Sequence, residues 1–409
     1  MHRKKLAASV AALAVATLTF AGCSGNSTSP ETNKPTEGGS SSSEPIKVVV
    51  FGGVSAEGIL ANNAATSITA AKASVASVNA AGGIDGRQVE IEVIDDTGDP
   101  TVAVTKLKEL LASGDKPVAV MNSGPSTVAD AMIPILTQNK VLSFNIGPTA
   151  TSSDPAQAPY NFDLSPGAAD YIAAFVPAME DKGYEDVAIL HGSSAYGEMF
   201  GKSSSEVFGE AGFNVVGNQG YDVAALDMTA QLETLKASNP DVLILDAYGA
   251  PLGYVLQGIE KIGWDVPIMG NNSVSATALI ATEPPTGVLG TDQVKNLTMQ
   301  VFNSTKFDKA DTAVNDGVQL MVEAGDIKSS LILAYNLDAM WLVKAAAEKA
   351  GSLDAEALAT ALVDDSVLTS AETVILKKYG FTADKHSPHP DASEFKFIAP
   401  GPLVNGQFQ

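Results

Sequence analysis

From residue 46 onward, short apolar runs rich in β-branched residues alternate with longer segments of helical period, and that alternation limits the fold more than any other feature of the chain. Runs at 47–51, 88–95, 117–121 and 141–145 are separated by helical segments at 62–79, 100–113 and 126–139. The same grammar restarts with runs at 187–191, 214–216, 241–246 and 267–269, separated by helical segments at 198–211, 228–238 and 251–262. Strands that are apolar along their whole length are buried on both faces, as in a parallel sheet covered by helices. The pattern predicts an α/β chain built from two doubly wound parallel sheets. Asp99-Pro100 marks one helix start, a carboxylate at the N-cap ahead of a proline in the first helical position. Beyond about Gly290 the pattern loosens into two long helical stretches, 310–325 and 330–351, and a loop-rich tail from Val374.

A chain of 409 residues holds at least two domains at roughly 100–200 residues each. Its 47 acidic residues outnumber 25 Lys and Arg, for a formal net charge of −22. That balance argues against nucleic acid as a partner, because affinity for a phosphate backbone needs clustered cations. The single cysteine, Cys23, excludes an internal disulfide and any Cys-rich metal site. No stretch after the N-terminus reaches the ~18–20 apolar residues of a membrane span.

Residues 1–22 read as a signal peptide, with basic Arg3, Lys4 and Lys5 ahead of an apolar stretch too short to cross a bilayer. The segment ends in Phe20-Ala21-Gly22-Cys23, which resembles the lipobox of bacterial lipoproteins, with Phe20 where that family usually carries Leu. The resemblance implies cleavage before Cys23, acylation of its thiol and a lipid anchor at the outer face of the bacterial cytoplasmic membrane. An ordinary secretory signal followed by an incidental cysteine is the alternative. Residues 24–45 are polar, rich in Ser, Gly and Pro, and read as a disordered tether with a reach of roughly 25 Å.

Several stretches carry a wider resemblance. They are Val78-Asn79-Ala80-Ala81-Gly82-Gly83-Ile84-Asp85-Gly86-Arg87, then Asp95-Asp96 with Asp99-Pro100, then Ala195-Tyr196-Gly197-Glu198, and more weakly Asp241-Val242-Leu243-Ile244 with Tyr248. In order and spacing they resemble the type I periplasmic binding proteins of branched-chain amino acid ABC transporters, from about Ile46 to Ala361. The resemblance implies two lobes joined by three hinge segments, with a small-molecule ligand closed between them and an ABC permease complex as partner. It also implies a swap of C-terminal parts, with 46–163 plus 298–369 in one lobe and 164–297 plus 370–409 in the other. No cofactor is implied.

In open α/β sheets the ligand lies outside the carboxyl ends of the strands, so the loops leaving each strand are the candidates. Ser123-Gly124-Pro125-Ser126-Thr127 opens a helix, where free N–H groups suit a ligand carboxylate; Ser123, Gly124 and Ser126 are the candidates, and plain N-capping is the alternative. By resemblance, Ile146, Gly147 and Thr149 in the next loop meet substituents of the ligand α-carbon. Tyr196 and Tyr248 match cleft tyrosines of the second lobe, able to cover an aliphatic group and hydrogen-bond it. Asn272 stands where the family carries an acidic partner for the ligand ammonium, and the loop 52–59 lacks the usual closing aromatic. Either Asp246 or Glu57 holds the ammonium, or the ligand is an amide, a urea-like compound or an aromatic acid.

The residues offer no catalytic constellation. His191 lies near Ser193 and Ser194 without a strained Gly-x-Ser-x-Gly elbow, and reads as a strand-end hydrogen bond. His386 and His389, with Asp384 and Asp391, read as surface loop rather than a metal site. The expected function is solute capture for import, not catalysis. A ligand-sensing receptor subunit of the same fold and a cell-envelope hydrolase remain as alternatives.

Overall fold

The computed structural model of the chain describes residues 44–409; the signal segment, Cys23 and nearly all of the tether lie outside the described residues. The first half runs β1 (Ile46–Gly52), α1 (Gly58–Ala80), β2 (Val89–Asp95), α2 (Pro100–Ala112), β3 (Ala119–Asn122), α3 (Ser126–Gln138), β4 (Leu142–Asn145) and β5 (Asn161–Asp163). Its sheet has the order β2-β1-β3-β4-β5 with every pairing parallel. The apolar run of β1 is buried almost throughout, as a central strand covered on both faces must be. Asp99 caps α2 by accepting the N–H groups of Thr101 (2.7 Å) and Val102 (3.1 Å), as the Asp-Pro pair predicts.

The second half continues with α4 (Ala168–Ala173), α5 (Phe175–Glu180), β6 (Asp186–Gly192), α6 (Ala195–Glu210), β7 (Asn214–Tyr221), α7 (Thr229–Ala237), β8 (Val242–Leu245), α8 (Ala250–Lys261), β9 (Ile268–Gly270), α9 (Asn272–Ser275) and β10 (Leu297–Phe302). Then come α10 (Thr312–Ala324), α11 (Asn336–Ala350), α12 (Ala355–Leu362), α13 (Asp365–Ser370) and β11 (Phe395–Ile398). The second sheet has the order β11-β10-β9-β8-β6-β7, parallel except for the antiparallel edge strand β11. The architecture is α/β, with parallel sheets in two lobes as the alternation predicts.

The lobe boundaries depart from the expected 298 and 370. Leu297–Phe302 continues the second sheet, because this run pairs in register with β9 and buries its apolar side chains there. Residues 375–381 stay with the first lobe: Ile375, Leu376, Tyr379 and Phe381 lie in its core. Asp338 on α11 holds that segment, accepting the N–H groups of Val374 (2.6 Å), Ile375 (3.0 Å) and Leu376 (3.2 Å) and the Tyr379 hydroxyl (2.8 Å). The chain therefore passes between lobes after β5, after β10 and again before β11. Helices α10 and α11 return to pack on α1, so the first lobe's core joins residues far apart in sequence.

Candidate functional site

In each sheet the strand order reverses beside the first strand, between β1 and β3 and between β6 and β8. Crevices at such switch points are where open α/β sheets bind ligands. The loop after β3 meets the loop after β6 across the lobes, and Tyr248 after β8 packs against the first-lobe core.

On the first-lobe side, both strands end in asparagine. Asn122 accepts the Gly124 N–H on Oδ1 (2.9 Å) and donates from Nδ2 to Asn145 Oδ1 (3.2 Å). Asn145 grips Gly147 at both ends, accepting its N–H (3.0 Å) and donating to its carbonyl (2.7 Å). Ser123 turns inward: its hydroxyl meets Ser67 on α1 (2.9 Å) and Asn336 on α11 (3.0 Å), and its N–H goes to the Phe51 carbonyl (2.8 Å). Ser123 and the Gly124 N–H thus build the loop. After Pro125, which supplies no side-chain cap, the N–H groups of Ser126 and Thr127 meet no acceptor among the described residues. These N–H groups without an acceptor lie two and three residues beyond Gly124.

Gly147 lies on that helix start; a Cβ there would come within 2.8 Å of the Ser126 nitrogen. Ile146 is half-buried against the first-lobe core. Thr149 is buried and accepts the Ser152 N–H (3.1 Å), while its own N–H goes to Ser152 Oγ (2.8 Å). Its hydroxyl proton has no acceptor among the described residues.

On the second-lobe side, Ser194 caps α6 by accepting the Gly197 N–H (3.0 Å), which sets Tyr196 in the first turn. The Tyr196 N–H reaches across to Ser126 Oγ (3.3 Å), and its hydroxyl donates to Asn272 Oδ1 (2.6 Å). Burial, together with Tyr171 and Asp246 nearby, holds this phenol well above its usual range, so it stays a donor. Gly197 allows the tight packing behind it, since a Cβ would fall 2.2 Å from the Gly192 carbonyl oxygen. Tyr248, half-buried, packs on the first-lobe core beside Asn63 of α1, and burial pushes its hydroxyl up to about 12.

The two candidate ammonium partners differ in kind. Asp246 is buried and already accepts Asn271 Nδ2 (2.8 Å) and the Gly192 N–H (3.3 Å). Glu57 is exposed at the start of α1 and its side chain caps nothing. Asn272 is turned to Tyr196. Ser126, Gly147, Tyr196 and Asn272 are the candidates brought together most directly; Glu57 stands apart.

His191 packs its ring where a Gly201 Cβ would fall 2.3 Å away, and Ser193 and Ser194 spend their hydroxyls on the Val223 and Gly197 N–H groups. His386 stacks on Phe162 at 4.0 Å, its imidazole lowered by burial, and His389 pairs with Asp170. Sequence reasoning missed Asn63, Asn122, Asn271 and Asp163. The only local signal for the first three is a small amide at or beside a candidate loop.

Comparison with known proteins gives a consistent set of relatives. A family model described as periplasmic binding protein matches residues 45–394. A Leu/Ile/Val-binding protein homologue of Brucella melitensis is 27% identical over 329 residues, covering 78% of this chain and 84% of that protein. A type 1 periplasmic binding protein of Bordetella pertussis superposes with a TM-score of 0.73 at 20% identity, covering 87% of this chain and 96% of that one. An ABC transporter solute-binding protein of Rhodopseudomonas palustris, solved with 4-hydroxybenzoate, has a TM-score of 0.66 at 18% identity over 78% of this chain and 85% of that one. The last two are likenesses of fold.

Proposed function

The chain belongs to the periplasmic binding protein family, and from that premise we propose that it captures a small extracytoplasmic solute between its lobes and delivers it to an ABC permease. The solute of this reading is a branched-chain amino acid or a related compound, in keeping with the names of its sequence relatives. The observation that carries it is the contact of Tyr196 in one lobe with Ser126 in the other, at a helix start whose first N–H groups lack acceptors among the described residues. A ligand carboxylate fits those N–H groups at the positive end of α3. The Tyr196 ring then covers the aliphatic part, with its hydroxyl and Asn272 at the polar end. A solute that touches both lobes stabilises the closed arrangement through its differential affinity for that state. Micromolar capture corresponds to roughly 8 kcal/mol, which a carboxylate, an apolar contact and a few hydrogen bonds can supply.

A second reading concerns the ligand alone. Asn272 is a neutral amide and Asp246 is already engaged, which favours an acid without an ammonium; the R. palustris relative solved with 4-hydroxybenzoate is of that kind. The lipid anchor at Cys23 and attachment to the outer face of the cytoplasmic membrane belong to the same proposal.

The test is a thermal-shift and calorimetric screen of L-leucine, L-valine, their keto acids and 4-hydroxybenzoate. Stabilisation by at least one of these, with the compound recovered unchanged, is the expected result. No stabilisation by any, or consumption of the compound, overturns the reading.

A further inference from the structure

Asp163 ends β5, just before the chain first crosses between lobes, and it is fully buried. Three donors converge on it: Ser152 Oγ at 2.6 Å on Oδ2, and the amide nitrogens of Asn145 and Asn161, both at 3.1 Å, on Oδ1. An ionised carboxylate only accepts hydrogen bonds, so each neighbour must turn a donor toward it.

That requirement propagates. With Nδ2 of Asn145 directed at Asp163, its Oδ1 faces the Gly147 N–H and Asn122 Nδ2. Asn122 is thereby turned so that its own Oδ1 receives the Gly124 N–H. On the other branch, Ser152 gives its proton to Asp163 and so offers a lone pair to the Thr149 N–H. Both branches end in the loops that frame the cleft, at Gly124, Gly147 and Thr149.

We infer that Asp163 is a positioning residue for the ligand site: its negative charge orients Asn145, Asn122 and Ser152, and through them holds both first-lobe loops in their binding geometry. The inference rests on the cleft being the solute site. Burial raises this carboxyl to about 7, so its charge changes near neutral pH. Protonation gives the carboxyl a proton to donate where every neighbour already donates, and Ser152 is the neighbour able to reverse, through its alternative contact with the Thr149 carbonyl (3.3 Å). The surrounding charged and titratable groups are few. Lys385 is the facing cation and is held by Asp170 (2.9 Å); His389 pairs with the same Asp170. The ring of His386, lowered by burial, lies on Phe162, with Asp154 beyond it.

The experiment uses the protein without added ligand and the isosteric Asp163→Asn variant. Amide hydrogen exchange of Gly124, Gly147 and Thr149, corrected for intrinsic rates, is followed from about pH 5.5 to about pH 8.5, and L-leucine affinity is measured at both ends. In the parent protein, protection at these amides and L-leucine affinity are expected to fall about tenfold on the acid side. In Asp163→Asn both become independent of pH and stay at the lower level. Flat protection in the parent, or a pH step that persists in the variant, overturns the inference. If L-leucine binds neither protein, the ligand reading fails while the exchange profile still decides the role of Asp163.

Discussion

The Tyr196 hydroxyl donates to Asn272 Oδ1 at 2.6 Å, joining the first turn of α6 to the first residue of α9. Removing the hydroxyl alone, in Tyr196→Phe, keeps the ring on Phe200 but leaves the Asn272 amide without its donor. Solute affinity is expected to weaken by about 1–2 kcal/mol with the melting temperature nearly unchanged, a comparison that calorimetry and thermal melts make directly.

Asn272→Asp keeps the shape and supplies a carboxylate at the same place. Charge-assisted bonds are about twice as strong as neutral ones, so L-leucine is expected to gain about 1 kcal/mol while its keto acid loses affinity. Equal changes for the two compounds would show that residue 272 does not face the ammonium position.

Gly147→Ala places a methyl 2.8 Å from the Ser126 nitrogen. The loop must move off the start of α3, which is expected to cost about 1–3 kcal/mol of binding. Competition titration of the variant checks this, and circular dichroism verifies that the fold persists.

Stability is expected to rise as pH falls from about 7 to about 4 and then decline. Asp163 and Asp338 are buried and raised, to about 7 and about 6, so the native state binds their protons more tightly than the unfolded chain and gains stability as pH falls through that window. Depressed carboxyls such as Asp99, Asp241 and Asp364 act in the opposite sense, and their stabilisation is lost as pH falls below about 4. Thermal melts across pH 3–9 locate the maximum; a maximum above pH 7 would contradict the assignment. Solute affinity is expected to fall on acidification over the same range in which stability rises.

Cys23→Ser is expected to release the protein from membranes into the soluble fraction. A variant that still sediments with membranes would remove the lipid anchor from the account.

The fold was legible in the sequence wherever a single element carried its own signal. The apolar runs of β1, β6 and β8, the Asp99-Pro100 helix start and the restart of the alternation near residue 187 are local, because strand and helix periods are written in neighbouring residues. Among the candidate site residues, Ser126 came from a loop at a strand end, a rule of topology that needs no coordinates, and Tyr196 from the resemblance carried by Ala195-Tyr196-Gly197-Glu198. Leu297–Phe302 escaped because a short strand interrupted by Thr298 and Gln300 is recognisable only beside the β9 it pairs with.

The sequence by itself determined the class of fold and its two parallel sheets, since strand and helix periodicity are short-range properties. Tertiary structure alone decided what the buried polar side chains around the cleft do. Ser123 is spent on Ser67 and Asn336, the latter more than 200 positions away (|i−j| = 213), and Asp246 is spent on Asn271. Asp163 gathers Ser152, Asn145 and Asn161. Hydrogen bonds are satisfied by whichever partner the sheet register and the returning helices bring near, and no local pattern in the chain records that choice.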